Sequence, residues 1–82
     1  MSMPKALMDS IRVYDFFKAE RTDSPSPEIT YVAHAVVKAQ NNEAKWLIVR
    51  YQTVGTVVEK RFAEGNTEAD KVWNDRATYT YL

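Results

Sequence analysis

The chain has 82 residues, 11 Lys and Arg against 11 Asp and Glu, a single histidine and no cysteine. This composition excludes disulfides and thiolate metal sites, and the zero formal net charge argues against nucleic acid as the main partner, because nucleic-acid-binding domains usually carry a basic face. A domain of this size buries only about 60–65% of its surface on folding, so oligomerisation or docking onto a larger body would stabilise it.

Charge is unevenly spread along the chain. Residues 29–62 carry an excess of basic side chains, whereas residues 63–82 carry an excess of acidic ones. Complementary regions of this kind suit head-to-tail contacts between copies of the chain. No apolar run approaches the length of a membrane span and the N-terminus lacks the features of a secretory signal, so we expect synthesis in the cytoplasm and no membrane partner.

The first ten residues form an apolar lead that contains Met1, Met3, Leu7 and Met8. Such a segment fits either a frayed terminus or an arm that docks on a neighbouring protein, and methionine side chains suit adaptable contacts. We predict a flexible arm over residues 1–10, with a possible role in partner docking, and a single small domain over residues 11–82.

Two periodicities compete in residues 11–19. Leu7, Ile11, Tyr14 and Phe17 fit the apolar stripe of a helix. The density of β-branched and aromatic residues favours a strand instead, and a strand is our prediction.

Residues 20–28 contain Pro25 and Pro27. Proline removes a backbone donor and restricts the residue before it to extended geometry. The segment is therefore predicted to be a loop or a polyproline-like connector. Its proline spacing misses the register of proline-rich docking peptides.

Alternating apolar residues predict three strands, at residues 29–37, 46–51 and 56–62. A polar turn is expected at residues 39–45. The turn at residues 54–55 should close a tight hairpin, because Gly55 supplies the positive φ that such a turn needs.

Residues 67–76 are predicted to form a short helix before the last strand. Thr67 can cap its N-terminus, and Ala69, Val72 and Trp73 share one face at helical spacing. Residues 77–82 alternate aromatic and polar side chains, which predicts a half-buried last strand.

No catalytic constellation is apparent. Nucleophilic catalysis needs a serine or cysteine beside a base and an orienting acid, and His34 has no such group close to it in the chain. We interpret it as a structural histidine. Glu59, Glu64, Asp70 and Asp75 have no spacing that separates them from ordinary solvated acids. We predict that the protein is not an enzyme and that it binds no cofactor and no metal.

A basic hairpin is the best candidate for nucleic-acid binding, since aromatic rings can stack on bases while cations meet the backbone. Its basic residues are Lys45, Arg50, Lys60 and Arg61. Its aromatic residues are needed for the core of so small a fold, however, and we do not expect nucleic acid among the main partners.

Large rings and turn glycines are interpreted as structural anchors, because each buried indole removes on the order of 200 Å² from water. Asp75 and Arg76 are expected to fix the corner between helix and last strand through charge-assisted hydrogen bonds. An exposed binding spot formed by Trp73, Tyr79 and Tyr81 is the alternative. The predicted anchors are Trp46, Gly55, Phe62, Gly65, Trp73, Asp75, Arg76, Tyr79 and Tyr81.

Several apolar and aromatic residues precede two longer motifs in a fixed order: Tyr31, Ala33, Ala35, Trp46 and Ile48, then Phe62-Ala63-Glu64-Gly65-Asn66, then Val72-Trp73-Asn74-Asp75-Arg76-Ala77-Thr78-Tyr79-Thr80-Tyr81. With this order, over about residues 11–82, the chain resembles a group of small strand-rich proteins encoded in tailed-bacteriophage genomes. Those proteins end in a tryptophan, two Asp/Asn positions, an arginine and a Ser/Thr–aromatic strand, and the C-terminal motif carries most of the specificity of the resemblance. The chain departs from the group at His34, where a glycine is usual, at residues 39–45, and at Ala69, where an aromatic residue is usual. The resemblance implies a viral gene product and a virion component, with no catalytic residue to carry over.

The expected fold is mainly β, a small antiparallel sheet or partly open barrel of about five strands with one short helix before the last strand. The expected function is that of a phage virion structural or assembly protein of the capsid, neck or tail. It would dock on other virion proteins or on copies of itself, and would be located in the virion after synthesis in the host cytoplasm. The alternative is a non-structural phage accessory protein that binds a host protein or nucleic acid.

Overall fold

The computed structural model describes residues 19–82, which form an antiparallel sheet covered on one face by an irregular C-terminal segment. Strands β1 to β4 lie side by side in chain order, and β5 pairs with β3 beyond the end of β4. The expected mainly β fold is confirmed, and the described strands form an open sheet rather than a barrel. The elements are β1 (Ala19–Ser26), β2 (Ile29–Ala35), β3 (Ala44–Val54), β4 (Val57–Phe62), β5 (Lys71–Val72) and a 3-10 turn at Trp73–Asp75.

Strand β3 organises the sheet. It is the longest strand and pairs with β2, β4 and β5. The strands predicted at residues 29–37, 46–51 and 56–62 are confirmed as β2, β3 and β4, with shifted ends. The loop between β3 and β4 consists of Gly55 and Thr56, and Gly55 has the expected positive φ of 64°.

The loop predicted over residues 20–28 is wrong, because most of this segment forms β1. β1 is an edge strand, where a proline can face away from the neighbouring strand without breaking the ladder. The register of β1 against β2 also shifts between Asp23 and Ser26, which accommodates Pro25 in an irregularity of the strand. Pro27 lies in the turn that leads into β2.

The helix predicted over residues 67–76 is also wrong. The chain is irregular from Thr67 onward, then pairs briefly as β5 and makes a single 3-10 turn at Trp73–Asp75. The backbone N–H of Val72 donates to the hydroxyl of Tyr79 over 2.7 Å. These contacts with the rest of the fold override the helical spacing of the apolar residues.

Residues 77–82 form no continuous strand, so that prediction is corrected as well. One bridge joins Ala63 to Tyr81. Next to it, the N–H of Glu64 donates to the carbonyl of Thr80 over 2.7 Å. The chain end is thus fastened to the end of β4 by a few bonds rather than by a ladder.

The core lies between the sheet and the C-terminal segment, defined here as residues 64–82. We call the sheet face that contacts this segment the first face. Ala33 and Ala35 of β2 are fully buried there, and their small side chains leave room for large rings. The core residues are Tyr31, Ala33, Ala35, Ala39, Trp46, Ile48, Ala63, Trp73 and Tyr81.

The predictions for residues 1–18 fall outside the described residues. They concern the flexible arm over residues 1–10, with Met1, Met3, Leu7 and Met8, and nearly all of the strand predicted over residues 11–19. Within residues 19–82, no helix has the length and apolar character needed to cross a bilayer.

Candidate docking surface

Trp46 and Trp73 lie in contact in the core, although they come from β3 and the C-terminal segment. Their ring centroids are 6.3 Å apart, and the two residues are 0% and 5% exposed. Arg21 lies over the Trp46 ring at 5.0 Å, and Arg76 lies over the Trp73 ring at 4.4 Å. Stacking of this kind adds cation–π attraction to the burial of the indoles.

Arg76 binds a distant carboxylate rather than its neighbour Asp75, which differs from the predicted corner. Its Nε and Nη2 donate to Oδ2 of Asp23 in β1 over 3.1 and 2.9 Å. Its Nη1 donates to the carbonyl of Trp73 over 3.1 Å. Asp75 is exposed, and its carbonyl accepts from Thr78. Arg76 therefore ties the C-terminal segment to the far edge of the sheet.

Tyr79 and Tyr81 use their hydroxyls to hold the same segment. The Tyr81 hydroxyl donates to the carbonyl of Arg76 over 2.7 Å, and the ring packs 5.7 Å from that of Tyr31. Burial raises the pKa of the Tyr81 hydroxyl well above its ordinary value. Tyr79 is half-buried and packs against the core. Neither ring forms an exposed binding spot.

The remaining predicted anchors lie at turns and on the opposite sheet face. Gly55 and Gly65 have φ of 64° and 71°. A Cβ at Gly65 would come within 3.1 Å of Cβ of Leu82, whereas one at Gly55 would meet open space. Phe62 is half-buried at the end of β4, and Nζ of Lys60 lies 5.5 Å from its ring centroid.

The titratable groups show no catalytic arrangement within residues 19–82. Nδ1 of His34 lies 3.5 Å from Oε1 of Glu20, and both side chains are open to solvent. The described chain has no pocket and no group of three or more side chains suited to a metal ion. Asp70 pairs with the ammonium of Lys71, and this hydrogen bond lowers the pKa of the carboxyl. Glu59 pairs with Arg61, and Glu64 is exposed.

Basic residues of the β3–β4 hairpin do not form one continuous strip. Arg50 and Arg61 face each other across the strands and point to the first face, whereas Lys60 pairs with Tyr51 and points to the opposite one. Nη2 of Arg61 is 3.2 Å from Oε2 of Glu59, and Nζ of Lys45 is 3.0 Å from a Glu43 carboxylate oxygen. The hairpin thus lacks the groove that tracks a nucleic-acid backbone.

Exposed apolar side chains instead gather at the end of this hairpin, which we call the hairpin tip and define as residues 54–58. Val54, Val57 and Val58 are 53%, 58% and 62% exposed. Val54 and Val57 pair with each other and share one sheet face, whereas Val58 pairs with Thr53 on the other face. The tip is therefore apolar on both faces.

Comparison with protein-family models, with curated proteins and with solved structures finds no match for this chain.

The hairpin tip continues into β4, which lies at an edge of the sheet. Among the described strands β4 pairs only with β3, so its outer edge presents backbone donors and acceptors. Charged residues occupy its middle, at positions 59–61, but none stands at the tip. Charges protect an edge against unspecific pairing, and their absence at Val57 and Val58 leaves this end open to a partner.

The hairpin could be predicted from the sequence, but its tip was not predicted to be a surface. The one available signal was the doublet Val57-Val58, since two consecutive valines in a strand place an apolar side chain on each face. Alternation would have kept one of these two positions polar.

Proposed function

We propose that this protein acts by docking to other proteins through the hairpin tip, as a structural or assembly component of a tailed-phage particle. The observation that carries the proposal is the apolar tip itself. Its three valines are each more than half exposed, and they lie beside an edge strand. Clustered exposed apolar side chains of this kind mark interaction sites on small proteins.

The tip offers two complementary modes of contact. Its valines can insert into an apolar groove on a partner, and the outer edge of β4 can accept an added strand through backbone hydrogen bonds. The charges of Glu59, Lys60 and Arg61 limit strand addition to the end of β4 near Val57. A partner strand is thereby held in one register.

The phage assignment is supported by the resemblance of the C-terminal motif. In this fold the motif residues serve packing, since Trp73 and Tyr81 are buried and Arg76 bridges to β1. The motif therefore builds the domain, and the docking surface at the hairpin tip consists of other residues.

Mass spectrometry of purified particles tests the proposal. We expect the protein at stoichiometric copy number in particles from a producing host, and its absence would refute a virion role. The tip is tested by Val57→Asp, which should abolish incorporation without changing the thermal midpoint, because the side chain is exposed.

The matched control is Val37→Asp. Val37 is 55% exposed but lies in the connection between β2 and β3, outside the tip. Incorporation of this variant should be normal. Equal loss in both variants would contradict a specific role for the tip. Binding to DNA that weakens steeply with salt would point instead to an accessory nucleic-acid-binding protein.

A further inference from the structure

The sheet has a second apolar face, opposite the first face. Register places Val32, Val49 and Phe62 side by side across β2, β3 and β4 on this face, with Leu47 and Tyr51 on either side of Val49. Val49 is 6% exposed and the other four are half-buried. We call these five residues the second-face patch.

No described segment forms a layer over the second-face patch. Within residues 19–82 both longer stretches outside the sheet lie against the first face. The rings of the C-terminal segment pack against Trp46 and Tyr31, and the connection between β2 and β3 contributes the buried Ala39 to the same core. A sheet whose two faces are both apolar needs a layer on each.

The chain directly before β1 has the composition of such a layer. Five of the side chains in residues 11–17 are apolar or aromatic, namely Ile11, Val13, Tyr14, Phe16 and Phe17. Arg12 and Asp15 are the two charged residues in this run. Burial of these side chains would remove a large apolar area from water.

The position of residues 11–17 in the chain and the length of this segment also fit a layer over the second-face patch. Ala19 pairs with Ala35, and Glu20 pairs with His34, whose other partner is Leu47. The chain therefore enters β1 at the end of the sheet where the second-face patch begins. Seven residues reach up to about 25 Å when extended, and four strands side by side span about 15 Å.

We propose that residues 11–17 pack on the second-face patch of the same chain and form the missing layer. This arrangement places the hydrophobic core on both sides of β3. The second-face patch does not include any residue of the hairpin tip, so this proposal is independent of the proposed function.

Nuclear Overhauser contacts in the unaltered chain test the proposal without any substitution. We expect contacts between ring protons of Tyr14, Phe16 or Phe17 and methyl protons of Leu47 or Val49. Their absence in a folded sample would overturn the proposal. A mixture of isotopically labelled and unlabelled chains identifies contacts between two copies, and such contacts in place of intramolecular ones would also overturn it.

Thiol labelling measures the coverage directly, because the chain has no cysteine of its own. A Leu47→Cys variant should react at least about tenfold more slowly than Val58→Cys, whose position is exposed on the same face beyond the patch. Adding Phe16→Ser and Phe17→Ser should speed labelling at position 47 and leave position 58 unchanged.

Two labelling results would contradict the inference. One is equal labelling at positions 47 and 58, and the other is slow labelling at position 47 that the two serine substitutions do not change. Tryptophan fluorescence verifies that each variant remains folded, since both indoles lie on the first face. Should the serine variants unfold, the contacts measured in the unaltered chain decide the question.

Discussion

Replacement of Trp73 by alanine should remove a large part of the stability of the domain. The residue is 5% exposed and its ring packs against Trp46 and beneath Arg76. Burial of about 200 Å² at about 25 cal/mol per Å² corresponds to about 5 kcal/mol. Measured Trp→Ala substitutions in cores cost about 3–5 kcal/mol. A chain of this length has a total stability of about 4–12 kcal/mol.

Urea unfolding followed by the fluorescence of the remaining Trp46 measures this loss. We expect Trp73→Ala to lower the free energy of unfolding by about 3–5 kcal/mol, whereas Val57→Ala at an exposed position should change it by less than about 0.5 kcal/mol. Trp73→Phe should retain part of the lost stability, because a ring still fills the site. A Trp73→Ala variant that unfolds at the urea midpoint of the parent would refute the assignment of the indole to the core.

Three further predictions concern the C-terminal segment and its attachments. Tyr81→Phe should lower the free energy of unfolding by about 1 kcal/mol at neutral pH. Folding raises the pKa of the Tyr81 hydroxyl, so the stability that this group contributes is fully present below about pH 10 and is lost as the pH rises above that value. The loss of folded structure at alkaline pH, followed by circular dichroism, should therefore be smaller in the variant. An equal loss of folded structure at alkaline pH in the variant and the parent would contradict this prediction. Gly65→Ala should lower the thermal midpoint more than Gly55→Ala, since only its Cβ meets a neighbour; equal shifts would contradict the close approach. Asp23→Asn and Arg76→Gln should be non-additive in a double-mutant cycle, with a coupling below about 1 kcal/mol because both groups are partly exposed, and additive effects would exclude the pair.

The central strands could be predicted from sequence because their information is local. Trp46 and Ile48 alternate with less buried neighbours in β3, and Gly55 marks the turn that follows. β1 could not be predicted in the same way. Pro25 argues against a strand unless the strand lies at an edge and carries an irregularity, and both conditions are properties of the assembled sheet.

The error over residues 67–76 has a similar cause. Ala69, Val72 and Trp73 have helical spacing, but the contacts that determine the conformation of Val72 and Trp73 come from β3 and from Tyr79. Arg76 shows the limit most clearly, since its carboxylate partner Asp23 lies 53 residues away and no local pattern identifies it. The turn of the hairpin tip could be predicted from the sequence. The exposure of its valines could not, because it depends on which other parts of the fold cover them.

The two indole rings in the core also form a pair of neighbouring chromophores. At 6.3 Å separation and a tilt of 45°, their ultraviolet transitions couple, and coupled transitions that are not coplanar produce paired circular-dichroism bands of opposite sign. One ring belongs to the sheet and the other to the segment that closes over it. The couplet therefore reports closure of that layer alone, without any attached label.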